Sequence, residues 1–66
     1  MNGLVKFYDE PSAWGLIVGD DGALYTLRGG QWSGPPPREG EPVVFEPQPA
    51  PGGPRASGVR RIVTDA

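Results

Sequence analysis

The residues able to do chemistry in this chain are few, and they are aromatic or cationic. Lys6 and Phe7 stand in one apolar run and Trp14 opens the next. Exposed rings beside a cation suit an unstacked base and its phosphate; the competing use of both rings is to pack over the body of the fold. Trp32 sits in a Gly-rich stretch, either as a further platform or folded over nearby leucines. Arg28 and Arg38 can neutralise a backbone, although Glu39 and Glu41 reduce the field around Arg38. Arg55, Arg60 and Arg61 form either a phosphate track or a solvated face. The acidic pairs Asp9-Glu10 and Asp20-Asp21 have the surroundings of turns, with no nucleophile, general acid or ligand set nearby. Gly29-Gly30 lacks the Lys and the Ser/Thr of a phosphate-binding loop, and Pro35-Pro36-Pro37 is too short for a persuasive recognition pattern.

With no Cys and no His there is no disulfide, thiol nucleophile, histidine base or Cys/His metal cage. The expectation is a protein that is not an enzyme and uses no cofactor and no metal. At 66 residues the chain is expected to be one small domain or a fragment of one. It folds to a surface of about 4,000 Å² and buries about 60% of what the unfolded chain exposes. The net charge of −2 argues against strong duplex binding, which is largely electrostatic, but leaves room for a single-strand binder that relies on stacking. No run approaches the roughly 18 apolar residues of a bilayer span, and the Met1 end has no basic head followed by an apolar stretch. The expectation is therefore a cytoplasmic protein without a membrane partner, monomeric by default.

The elements that must position these side chains are strands. Gly and Pro supply 20 of the 66 residues, and every window of a dozen contains one or the other, which disfavours helix throughout. Strands are expected near 3–9, 14–19, 23–28, 42–46 and 54–63, with a long loop over 28–41. The first three form an antiparallel meander through an Asp-Gly reversal. Alternation turns Gly15, Ile17, Ala23 and Tyr25 inward and Trp14, Leu16, Leu24 and Thr26 outward. In the first strand, Val5 and Tyr8 inward with Lys6 and Phe7 outward requires a bulge. Val43 and Phe45 form the core pair of the fourth strand, and Ala56, Val59 and Ile62 face inward from the fifth. Five short strands that must protect their edges predict an all-β, five-stranded antiparallel barrel of the OB type.

Assembled, Gly3-Leu4-Val5-Lys6-Phe7-Tyr8-Asp9, Ser12-Ala13-Trp14-Gly15-Leu16-Ile17, Ala23-Leu24-Tyr25-Thr26-Leu27, Glu39-Gly40-Glu41-Pro42-Val43-Val44-Phe45-Glu46 and Gly53-Pro54-Arg55-Ala56-Ser57-Gly58-Val59 follow an order of landmarks. That order resembles the bacterial cold-shock domain, with its G-x-V-K-W-F-N opening, K-G-F-G-F-I motif, V-F-V-H-F motif, E-G-x-x-V-x-F-E strand and G-P-Q-A-x-N-V ending. The resemblance covers nearly the whole chain and implies an OB-type barrel that binds single-stranded nucleic acid on an aromatic face. By motif position, Phe7 replaces a stacking tryptophan and Trp14 a phenylalanine. Leu16 replaces the second phenylalanine of the K-G-F-G-F-I motif, while Leu24, Thr26 and Leu27 replace the phenylalanine, histidine and phenylalanine of V-F-V-H-F.

Four lost π surfaces, at about 1–3 kcal/mol per stacked base, deplete the platform by several kcal/mol at most. The resemblance therefore implies weak or altered binding of single-stranded RNA or DNA, carried by Lys6, Phe7, Trp14, Leu16, Leu24, Thr26, Leu27, Trp32 and Arg55. The other reading is a protein-interaction module in which a leucine-rich face replaces the aromatic one, those leucines otherwise packing under the 28–41 loop.

Overall fold

Two tight reversals set the register of the first half of the molecule. In the computed structural model, which describes residues 1–32 and 35–62, the chain runs as β1 (Asn2–Asp9), β2 (Trp14–Gly19), β3 (Leu24–Arg28), a short 3-10 turn (Gly29–Gln31), β4 (Pro42–Gln48) and β5 (Arg55–Arg61). Between β2 and β3, Asp21 holds the reversal: one carboxylate oxygen accepts the Ala23 N–H at 3.0 Å and the other accepts the Tyr25 hydroxyl at 2.7 Å. Both hydrogen bonds favour the ionised carboxyl, with that from Tyr25 the larger influence, and Asp21 titrates below the usual carboxylate range. The same bond, together with burial, raises the Tyr25 hydroxyl above its ordinary value. Once this turn is set, β2 and β3 pair from Val18↔Leu24 back to Trp14↔Arg28.

The β1–β2 ladder shifts register between Val5↔Ile17 and Phe7↔Leu16, so Lys6 is the extra residue of a bulge. This is the break in alternation that the apolar run of β1 requires. Val5 lies in the core, Lys6 is exposed, and Tyr8 packs against the core from the next turn of the strand. The crossing is close: a Cβ on Gly15 would collide with the Phe7 carbonyl and lie 2.9 Å from the Tyr8 Cα.

A second irregularity sits in β5. Its ladder to β4 jumps from Val44↔Arg60 to Glu46↔Ser57, and Gly58 takes a φ of +57°, open to glycine at low cost. The extra residue lets Ala56 and Val59, three apart, both face inward. It also leaves the Gly58 N–H without a ladder partner. Gln31, delivered by the 3-10 turn, supplies one: its Oε1 accepts that N–H at 2.9 Å and the Ser57 hydroxyl at 3.1 Å. Past the bulge the parity of β5 is reversed, so Arg61 turns toward the barrel end and Ile62, expected inside, is 41% exposed. Val63, within the expected fifth strand, lies outside the described residues.

The sheet closes in the order β1-β2-β3-β5-β4, an all-β barrel with the topology of an OB fold. One expectation is corrected here. The barrel is mixed rather than wholly antiparallel, because β3 and β5 run parallel where Thr26 faces Arg55. That seam is thin, with a Thr26 N–H to Pro54 carbonyl bond of 3.2 Å and a separate Trp32↔Val59 bridge. Inside lie Val5, Ile17, Tyr25, Leu27, Val43, Phe45, Ala56 and Val59, with the Tyr25 and Phe45 rings 4.9 Å apart.

Candidate functional site

The register places outward side chains of four strands in lines across the barrel. One line is Phe7, Leu16, Thr26 and Arg55, from β1 through β2 and β3 to β5. The adjoining line is Asp9, Trp14 and Arg28. Opposed residues in neighbouring strands are close enough for their side chains to touch. Together the two lines make a strip with rings at the β1–β2 side and guanidinium groups at the β3–β5 side.

Phe7 and Trp14, diagonal neighbours on this strip, pack edge to face with centroids 5.1 Å apart and planes at 83°. The pair forms one braced unit rather than two parallel platforms. Trp14 stays 38% exposed, whereas Phe7 is half-buried. Trp14 is held by its approach: Ala13 takes a φ of +55°, unusual for a residue with a side chain, and its carbonyl accepts the Gly29 N–H at 2.8 Å. The β1–β2 turn is thereby tied to the end of β3, and Trp14 is presented beside Arg28.

Of the expected site residues, the structure brings Phe7, Trp14, Leu16, Thr26 and Arg55 onto this strip and leaves Lys6 exposed at the bulge beside it. Leu24 is elsewhere. It is 46% exposed and pairs with Val18 at the other end of the sheet, in line with Leu4 and Pro42. Leu27 has to be corrected: it is 0% exposed, wholly inside the barrel, and has no surface to offer a ligand. Its position follows from the same alternation that turns Tyr25 inward, which motif matching overrode.

Trp32 is engaged at the end of the barrel where Pro35 and Arg61 meet it. Its indole N–H donates to the Pro35 carbonyl at 2.7 Å, it packs against the core, and the Arg61 guanidinium lies 5.0 Å from its ring centroid. Arg61 also pairs with Glu41 and donates to the Pro35 and Pro36 carbonyls at 3.0 and 3.2 Å. The guanidinium, foremost, holds the Glu41 carboxyl below its ordinary range, against a smaller opposing effect of burial. Trp32 therefore covers the barrel end rather than Leu16 or Leu24.

Two features stand outside the set of site residues that the resemblance implies, although Arg28 was already a candidate for neutralising a backbone. Arg28, opposite Trp14, was legible by counting back from the Asp-Gly reversal along both strands. Leu4 and Ile62, 51% and 41% exposed, line an apolar groove of about 320 Å³ with Val18 and Pro42. No local signal points to that groove, since it needs β1, β2 and β4 side by side. Among the described residues there is no cluster of three or more His, Cys, Asp or Glu side chains able to hold a metal ion, and no helix long and apolar enough to cross a membrane. In comparisons with known proteins the sequence matches no protein-family model and no curated protein.

Proposed function

We propose that the protein holds unpaired nucleic-acid bases on the strip centred on Trp14, as a stoichiometric single-strand binder without bond chemistry. The observation that carries this reading is an exposed indole, braced edge-on by Phe7, directly opposite Arg28 on an OB-type barrel. A base stacking on Trp14 gains about 1–3 kcal/mol whatever its identity. Leu16 and Thr26, next along the strip, supply apolar contact and a hydroxyl, while Lys6, Arg28 and Arg55 face the backbone. With one braced ring pair instead of a wide platform, binding is weak. The cold-shock-like order of landmarks in the sequence supports the same reading.

The test is a titration with short mixed-sequence single-stranded RNA and DNA, followed by tryptophan fluorescence at low and near-physiological salt. Saturable quenching that is lost in Trp14→Phe and kept in Trp32→Phe is the expected result. Absence of binding to any strand by folded protein, in fluorescence and in a mobility assay, overturns it. A second reading, contact with a protein through aliphatic surface, is favoured by the groove lined by Leu4, Val18, Pro42 and Ile62 rather than by the leucines the sequence suggested. Under that reading Leu4→Lys abolishes partner contact and leaves single-strand quenching untouched.

A further inference from the structure

At the thin seam where β3 runs parallel to β5, a cleft of about 240 Å³ opens between the sheet and the loop over residues 50–53. Thr26, Arg28 and Arg55 line its sheet side, and Gly52 and Gly53 its loop side. We infer that this cleft is a phosphate subsite, which on the proposed single-strand reading takes the backbone phosphate next to the base stacked on Trp14.

Four observations converge on that ligand class. First, the lining includes two arginines and no acidic residue. Among the described residues neither arginine has an ion-pair partner, unlike Arg61. Second, the positions are imposed by the fold. Arg28 lies two residues beyond Thr26 on the same face of β3, and Arg55 is the parallel partner of Thr26. Strand spacing puts the backbones of Thr26 and Arg55 about 4.8 Å apart, and Arg28 lies two residues further along β3, so the two arginines border one opening. Their repulsion is relieved by an anion that accepts from both. Third, beside Ala50 and Pro51 the loop side presents bare backbone at two positions: Gly52 and Gly53 have φ of +86° and +126°, and a Cβ on either would meet nothing within 4 Å. At these two glycines an anion can approach the main chain without meeting a side chain of theirs. Fourth, Trp14 is the cross-strand partner of Arg28, which sets the ring one strand away from the cleft.

Guanidinium forks fit the several oxygens of a phosphate, and the Thr26 hydroxyl adds a further donor. The arrangement gives the ligand a direction. A single strand would cross the sheet, with its base on β2 and its phosphate over the β3–β5 seam.

The test uses isotope-labelled protein with three probes: inorganic phosphate, a short mixed-sequence oligonucleotide, and the same oligonucleotide with neutral methylphosphonate linkages. Each is titrated into the wild type and into the Arg28→Gln/Arg55→Gln double variant. The expected result is amide shifts of Thr26, Gly52 and Gly53 with the oligonucleotide and with phosphate, lost in the double variant. The slope of log affinity against log salt for the oligonucleotide should fall by about 0.7 in the double variant, the value for one phosphate contact on a single strand. The methylphosphonate strand should bind both proteins equally.

Trp14 quenching with an unchanged salt slope in the double variant overturns the subsite and leaves the single-strand reading standing. Phosphate shifts at the cleft without any oligonucleotide binding keep the subsite, assign it to a free phosphate-bearing ligand, and overturn the single-strand reading. Shifts spread evenly over Lys6, Arg38 and Arg60 mean diffuse charge attraction and overturn the subsite.

Discussion

Arg61 and the Arg28/Arg55 pair sit at two openings of the same barrel and are used in opposite ways. At the first, Arg61 lines a cleft of about 840 Å³ but meets Glu41, the Pro35 and Pro36 carbonyls and the Trp32 ring. At the β3–β5 seam the cleft holding Arg28 and Arg55 contains no acid. The aromatic residues divide in the same way. Trp32 has its N–H bonded and its ring beside a cation, whereas Trp14 packs perpendicular to Phe7 and stays partly exposed. A cation whose hydrogen bonds are made internally contributes to stability. One left facing an acid-free cleft contributes little to stability and is available to an anion. The contrast separates the residues that hold this small barrel together from those that can hold something else.

The strongest way to break the comparison is to remove what both regions stand on. Leu27→Ala deletes a fully buried side chain of β3 and should cost about 2–5 kcal/mol, seen as a lower unfolding midpoint in circular dichroism and denaturant titration. Because Thr26 and Arg28 flank it, both openings should be lost together upon unfolding.

Next in size is Trp14→Ala, which should weaken single-strand affinity by about 1–3 kcal/mol in a mobility assay while the unfolding midpoint hardly moves. A fall in stability that matched the loss of affinity would mean that Trp14 is packing and not platform.

Arg61→Ala should do the reverse. Its pair with Glu41 is partly exposed and screened, so the cost in stability is about 1–2 kcal/mol, including the contact with Trp32, with single-strand affinity unchanged.

The Arg61–Glu41 pair also responds to acid. The Glu41 carboxyl is held below its ordinary value of 4.5 in the folded protein, chiefly by Arg61. A depressed carboxyl favours the fold above its unfolded value, and that contribution disappears as pH falls through the folded value. Stability measured from pH 7 downward should be level to about pH 5 and then decline. Glu41→Gln should make the decline shallower, leaving the part due to Asp21, which is also depressed. The smallest effect belongs to the open side: the Arg28→Gln/Arg55→Gln double variant should unfold within about 0.5 kcal/mol of wild type, checked by the same denaturant titration.

Much of this division was legible in the residues. The Asp-Gly reversal and the alternation of β2 and β3 put Trp14, Leu16 and Thr26 outside and Ile17 and Tyr25 inside. The crowded apolar run Val5-Lys6-Phe7-Tyr8 demanded the bulge that the β1–β2 register shows. Leu27 went astray where a motif position was preferred to the alternation of its own strand. Ile62 went astray because the extra residue at Gly58 reverses the parity of β5, although the three-residue spacing of Ala56 and Val59 already hinted at it.

By itself, the sequence determined an all-β chain, the meander of its first three strands, most of its core and the outward position of its exposed indole. Those are local matters, decided by turn residues and by the two-residue period of a strand. Which arginine is neutralised and which faces an acid-free cleft was decided only by how the strands assemble. Closure at the β3–β5 seam sets Thr26 beside Arg55, nearly thirty residues away, and the bulged β4–β5 hairpin sets Val43 beside Arg61, eighteen residues away. No short-range pattern encodes such pairings. They follow from the parallel β3–β5 seam and from the β5 bulge, which exist only once these strands have paired.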